Sequence, residues 1–264
     1  KPSGSRWRLC PVFQSQFRDL KLSSILPHRG ADLEELTEDL GGPVSPPTVR
    51  ILLRQMLLAL ADFQDLFPQA LHGDVKPGNL LVGRSPDGRL QATLIDWSLS
   101  RCELSARGEG FGTDWFRPLD ILAHEDEHLD ARPSDAWGAG MTAAWLILGY
   151  DAITGIFQEA QKQNGGHDDA RAWTRAVASM VGLPEPWSSL RMLKQLDPNL
   201  QEAAEEQEFS QGMVSQMLED HDDVGDIREC LSGLLSVCPQ SRPTVRQAAA
   251  MLRTATDSEH AVAL

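Results

Sequence analysis

The chain has 264 residues, with 24 Lys plus Arg against 38 Asp plus Glu, a formal charge of −14 and 41% apolar content. That length supports one large domain or two small ones around an ordinary hydrophobic core, and the acidic balance without any basic run excludes nucleic acid as an expected partner, since affinity for a phosphate backbone comes largely from Lys and Arg. The longest mostly apolar stretch, residues 136–149, is too short and too rich in Gly and Ala for a bilayer span of about 20 residues, so no transmembrane segment is expected.

In chain order, residues 7–26 mix apolar and β-favouring residues in two short runs, which predicts two strands joined by a turn. Pro27, Gly30 and Gly41-Gly42-Pro43 then bracket ADLEELTEDL, an acidic segment long enough for one or two helical turns. From 46 to 67 the residues Val49, Leu52, Leu53, Met56, Leu57, Leu60 and Phe63 recur at spacings of three and four behind a Pro pair, predicting an amphipathic helix. LHGDVKPGNLLVG and RLQATLIDWSLS follow as apolar β-type runs, and the link Arg84-Ser85-Pro86-Asp87-Gly88 has turn chemistry, so a hairpin is expected. Residues 101–132 show no sustained period and read as ordered loop or short helical turns. DAWGAGMTAAWLILG is apolar almost all round, the pattern of a helix buried inside a larger body. Beyond Asp151 apolar periodic runs alternate with acidic ones, predicting further helices without an internal repeat. The acidic runs at 202–208 and 219–223 read as solvated faces.

Cys10, Cys102, Cys230 and Cys238 are too few and too scattered for a disulfide framework, and none has the C-x-x-C spacing of structural zinc. The chain opens on Lys1 rather than Met, so further sequence is expected upstream, including any signal peptide.

Chemistry concentrates in residues 71–98, which hold Asp74, Lys76, Asn79 and Asp96. Hairpin closure would bring all four to one end of two strands. Two carboxylates and a carboxamide offer the hard oxygen ligands that Mg²⁺ takes together with phosphate oxygens. A nearby Lys can neutralise charge on a transferring phosphoryl group.

This region resembles the eukaryotic-type protein kinases. LHGDVKPGN is similar to the catalytic loop His-Arg-Asp-x-Lys-x-x-Asn, with Gly73 in place of Arg, and IDWS stands where Asp-Phe-Gly is usual. Downstream, GTDWFRPLDIL resembles the end of an activation segment, SDAWGAGMTAAWLILG the buried central helix of the large lobe, and CPQSRPTVRQAAAMLR the closing Arg motif. Aminoglycoside and choline phosphotransferases share the His-Gly-Asp and Ile-Asp-Trp signals but not these downstream motifs.

The resemblance implies an α+β, protein-kinase-like fold with a mainly helical large lobe and a reduced small-lobe β-sheet. Residues 1–29 would be small-lobe strands and hinge, 30–254 the large lobe, and 255–264 a tail. It further implies Ser/Thr-type phosphoryl transfer from ATP with Mg, to a protein substrate. Asp74 would orient or deprotonate the acceptor hydroxyl, Lys76 would contact the γ-phosphate, Asn79 and Asp96 would hold the metal, and Thr113 would bond to Asp74 and Lys76. Leu26, His28, Asp32 and Leu81 would line the nucleotide site. Asp135 would anchor the catalytic loop through backbone N–H groups, and Asp120 would make a bidentate pair with Arg242.

The sequence also departs from that pattern. No G-x-G-x-x-G precedes Asp74; RGEGFG at 107–112 falls in the activation segment, and Lys21 stands too close to the hinge for the phosphate-binding strand Lys. With Gly at 73, activation by phosphorylation is not expected; with Ser98 in place of Gly, the segment after Asp96 should be held in one state. Trp97 should pack beneath His72. A missing glycine loop and HGDVKP are shared with the with-no-Gly-loop, rhoptry-like parasite kinases and pseudokinases, which implies secretion into the parasitophorous vacuole. The alternative function is a pseudokinase acting as a protein-binding scaffold, with the long 149–230 stretch as its partner surface. His124-Glu125-Asp126-Glu127-His128 fits the zinc-protease pattern H-E-x-x-H, but it falls where kinases carry a charged surface loop.

Overall fold

Two long helices organise the chain, and the sequence shows why. Helix α2 (Pro46–Leu66) starts on a proline pair, whose missing N–H groups a first helical turn can spare, and buries Val49, Leu52, Leu53, Met56, Leu57 and Leu60. Helix α4 (Ser134–Leu148) is buried along its whole length, as its all-round apolar pattern demands. The two pack on each other at the centre of the core. This computed structural model describes residues 14–18, 21–25, 30–68, 70–100, 105–106, 112–124, 129–130 and 132–253, of which 14–18, 21–25, 105–106 and 129–130 as backbone alone.

Strands β1 (Gln14–Arg18) and β2 (Lys21–Ile25) form an antiparallel hairpin, as the two short runs predicted. β3 (Ala31–Asp32) leads directly into α1 (Leu33–Leu40), with Asp32 as N-cap accepting the Glu35 N–H at 2.9 Å. β4 (Leu80–Arg84) lies at the centre of a three-stranded antiparallel sheet between β3 and β5 (Leu90–Leu94). The predicted hairpin is therefore present, and its register pairs Leu80 with Leu94 and Asp32 with Leu81. The Gln55 carboxamide of α2 satisfies Leu90 C=O at 3.0 Å and Ala92 N–H at 2.8 Å, pinning this sheet to the helical body.

The stretch 101–132 proves partly regular. β6 (Ser105–Ala106) pairs with β7 (Leu129–Asp130), and α3 (Leu119–Ala123) follows a single 3₁₀ turn at Asp114–Phe116. Two-residue strands carry no periodicity to detect, so a sequence pattern cannot reveal them. Seven further helices complete the described chain: α5 (Tyr150–Gln163), α6 (Ala170–Val181), α7 (Leu190–Leu193), α8 (Gln201–Glu205), α9 (Met213–Glu219), α10 (Gly225–Leu234) and α11 (Val245–Met251). The closing α11 carries a Thr244–Gln247 capping box and packs along α2. The architecture is thus α+β, a mainly helical body with a small antiparallel sheet at one end. No single helix among the described residues is long and apolar enough to cross a membrane.

Candidate active site

The site is built where the loop 71–79 meets the start of α4. Asp135, the second residue of α4, accepts the His72 N–H on one carboxylate oxygen at 2.8 Å and the Gly73 N–H on the other at 3.0 Å. The Gln64 carboxamide, from the last turn of α2, adds a small effect that favours the ionised form of the same carboxylate. Burial pushes the Asp135 carboxyl up; the hydrogen bonds from the Gly73 and His72 backbone N–H groups oppose that rise. Gly73 has φ +83, and a Cβ there would lie 3.0 Å from the Leu99 carbonyl oxygen. Gly is therefore the residue this backbone turn calls for, and the Arg of related catalytic loops would strain it.

His72 is fully buried and faces both strands' ends. Its Nδ1 accepts the Asp74 N–H at 3.2 Å, which leaves Nε2 as the donor to Ile95 C=O at 2.9 Å. Trp97 meets the His72 ring edge-on, with centroids 4.4 Å apart, and lies 4.3 Å from Phe63 of α2. The packing of Trp97 against His72 matches the expectation from the sequence.

Three side chains converge on one carboxylate, that of Asp74. Thr113 Oγ1 donates to Asp74 Oδ1 at 2.8 Å, Lys76 Nζ lies 3.0 Å from Asp74 Oδ2, and Asn79 Nδ2 donates to Asp74 Oδ2 at 3.0 Å and to its carbonyl at 2.8 Å. Lys76 Nζ also donates to Thr113 Oγ1 at 2.6 Å, closing the ring. Burial by itself would raise the Asp74 carboxyl, but the Thr113 hydroxyl, the Lys76 ammonium and the Asn79 carboxamide together hold it below the usual Asp value. Asp74 is consequently an anion at neutral pH, half ringed by donors. Thr113 is held in place by the 3₁₀ turn after it, where Trp115 stacks on Phe157 of α5 at 4.2 Å between centroids.

Asp96 stands beside this cluster rather than in it. The Ile95 N–H donates to the Asn79 carbonyl at 2.9 Å, so the strand register sets Asn79 and Asp96 at the same end of β4 and β5. Asp96 adopts φ +57, a left-handed conformation that Asp tolerates better than most, and its exposed carboxylate accepts the Ser98 N–H at 3.3 Å. No hydrogen bond among the described residues joins the Asp96 side chain to Asp74. Asn79 spends both amide hydrogens on Asp74, so its Oδ1 is left for another group. Among the described residues no three His, Cys, Asp or Glu side chains gather as a metal cage. The available donors are instead one exposed carboxylate and one amide oxygen, the sparse set that suits Mg²⁺ with phosphate oxygens and water.

Of the residues expected to line a nucleotide site, Asp32 and Leu81 are partners across β3 and β4, both half-buried, with Asp32 engaged as the cap of α1. Leu26 and His28 lie outside the described residues, as do 125–128 of the H-E-x-x-H stretch, most of RGEGFG, and the tail 254–264. Sequence reading missed Glu34 and Gln64. Glu34 of α1 lies over the 71–79 loop, since a Cβ on Gly78 would come within 2.6 Å of its Oε2. A Gly at 78, where space is taken by another chain segment, was the one available signal.

Asp120 and Arg242 pair as expected, both buried, but through a single carboxylate oxygen instead of the expected bidentate contact. The guanidinium is held by other groups as well: Nε donates to Ser236 C=O at 2.8 Å, Nη2 also reaches Val237 C=O at 3.2 Å, and Cζ sits 4.8 Å over the Trp137 ring, while the buried Nη1 makes no hydrogen bond among the described residues. The pair ties α3, just past Thr113, to the turn before α11. A family model, the protein kinase domain, matches residues 17–252 of the chain.

Proposed function

Because the chain belongs to the protein kinase domain family, we propose that it transfers the γ-phosphoryl group of ATP to a serine or threonine hydroxyl of a protein. The observation that carries this reading is the ring of Thr113, Lys76 and Asn79 around one ionised, nearly buried carboxylate, Asp74. An acceptor hydroxyl placed against Asp74 would be oriented by it and would pass its proton there as phosphorus–oxygen bond formation proceeds. Lys76, paired with Asp74 at rest, would turn its ammonium to the transferring phosphoryl oxygens. Thr113 would keep the acceptor-binding segment in register with the loop. Asn79 Oδ1 and Asp96 would hold Mg²⁺, which when bound offsets the negative charge of the phosphates. Asp32 and Leu81 would border the nucleotide.

Two measurements test this. Mg-ATP at about 100 times its Kd should stabilise the chain by about 2.7 kcal/mol, read as a rise in Tm, with the rise lost in Asp96→Asn. Phosphate transfer to a Ser/Thr peptide library should fall by roughly 10²–10⁴-fold in Asp74→Asn. A second reading, a binding scaffold on the same fold, is favoured by the sequence before Asp74, which holds no G-x-G-x-x-G and only Lys21 between Lys1 and Lys76. No thermal shift with Mg-ATP, and no transfer, would select the scaffold. The same missing motif and HGDVKP support a place among the glycine-loop-less, rhoptry-like proteins.

A further inference from the structure

Behind the site, on the far side of the Asp135 anchor, lies a cavity of about 360 Å³ between the end of α2, the start of α4 and the turn leading into α11. Its size falls in the range of pockets that enclose small molecules. Five prolines line it, at 68, 133, 198, 239 and 243. Proline has no side-chain rotamers to lose, so these walls are preformed and cost little entropy when a ligand settles against them. The two charged groups in its wall, Asp120 and Arg242, are buried and neutralise each other, while Arg132 on the rim keeps an interaction of its own. The remaining polar lining is uncharged: the carboxamides of Gln64, Asn199 and Gln240 and the Thr244 hydroxyl. Flat apolar walls with amide donors and acceptors at the edge fit a neutral, planar molecule carrying an amide.

Two walls of the cavity lead to the active site. Pro133 and Ala136 in the cavity wall flank Asp135, whose carboxylate holds the His72 and Gly73 N–H groups of the loop that carries Asp74. Asp120 lies in the first turn of α3, the helix that follows the Thr113 segment. We propose that this cavity is a ligand site for a neutral aryl carboxamide, and that the start of α4, through Asp135, passes its occupancy to the backbone of the 72–74 loop. Nothing in this proposal requires phosphoryl transfer, so its failure and that of the kinase reading are separable.

Benzamide, benzoate and benzamidinium share one shape and differ in charge, which makes them suitable probes on the full chain. Benzamide should bind with a Kd on the order of millimolar, as a nine-atom ligand allows. Gln240→Trp and Asn199→Trp, both exposed positions that fill the cavity without touching the core, should each weaken it more than tenfold. Saturating benzamide should slow amide hydrogen exchange at His72 and Gly73 by about fivefold or more. Four results would overturn the proposal: no benzamide binding, benzoate or benzamidinium binding tighter than benzamide, unchanged binding in both Trp variants, or no slowing of exchange at His72 and Gly73 under saturating benzamide.

Discussion

A single carboxylate, Asp74, with three side-chain partners makes a sharp prediction at the residue scale. Thr113→Val removes the hydroxyl shared by Asp74 and Lys76 while keeping the volume. The Asp74 carboxyl should titrate closer to its ordinary value, followed by side-chain carboxyl NMR, and the protein should lose about 1–2 kcal/mol of stability. The sign of the pH effect follows from the depressed folded value. Ionised Asp74 contributes stability that is fully present above the unfolded pKa and is lost as pH falls through the folded one. Thr113→Val should therefore weaken the dependence of unfolding free energy on pH below about 4. Gly73→Ala tests the backbone at the same place: positive φ and the nearby Leu99 carbonyl should make it destabilising by about 1–2 kcal/mol in urea denaturation, whereas a neutral outcome would mean the loop has room to turn. Asp74, Lys76, Asn79 and the anchor Asp135 were legible because their order and spacing form one pattern. Gln64 was not, since a lone glutamine on a helix carries no spacing that marks it.

Among elements, α4 decides how closely the active-site loop approaches the core. A Cβ on Gly138 would lie 2.8 Å from the Val75 carbonyl oxygen and 2.9 Å from its Cβ. Replacing Gly by Ala in a helix interior ordinarily gains about 1 kcal/mol of propensity. Here the collision is with the backbone of the 71–79 loop, and overpacking of that kind costs about 1–3 kcal/mol. Gly138→Ala should thus lose stability on balance and weaken the exchange protection of residues 74–76, measured by hydrogen exchange. The α3 attachment gives a second test. Asp120→Ala leaves the Arg242 guanidinium buried without its carboxylate and should cost about 3–5 kcal/mol, while Asp120→Leu with Arg242→Met should recover most of that loss in thermal melts. Helices α2 and α4 and the β4–β5 hairpin were readable because each is long enough to show a period or a turn signal. The β6–β7 pair was not, because two residues hold no period and the partner lies more than twenty residues away.

The whole molecule is bound by ties that cross the chain end to end. Arg50 of α2, buried, pairs with Asp226 of α10 at 3.0 Å, and Arg253 beyond α11 reaches the same carboxylate. Burial would raise Asp226, but the Arg253 N–H and the Arg50 and Arg253 guanidinium groups hold it low, so it joins Asp74 in losing its contribution as pH falls below the usual carboxylate range. Asp135 runs the other way, since burial raises it and its contribution declines as pH rises through that raised value. With the lowered carboxyls of Asp74 and Asp226 opposing the raised one of Asp135, acid should unfold the chain from about pH 4 downward, and Arg50→Met should shift that midpoint, read by circular dichroism against pH. The amino-acid sequence by itself determined the class of fold, the two core helices, the hairpin and the identity of the four polar residues at 74, 76, 79 and 113, because hydrophobic period and motif spacing are local along the chain. Only the tertiary structure decided that Asp96 stands beside the Asp74 cluster instead of within it, that Asp120 meets Arg242 through one oxygen, and that a proline-walled cavity backs the anchor. Those outcomes depend on which distant groups compete for the same hydrogen bonds and the same space, and no local pattern records such competition.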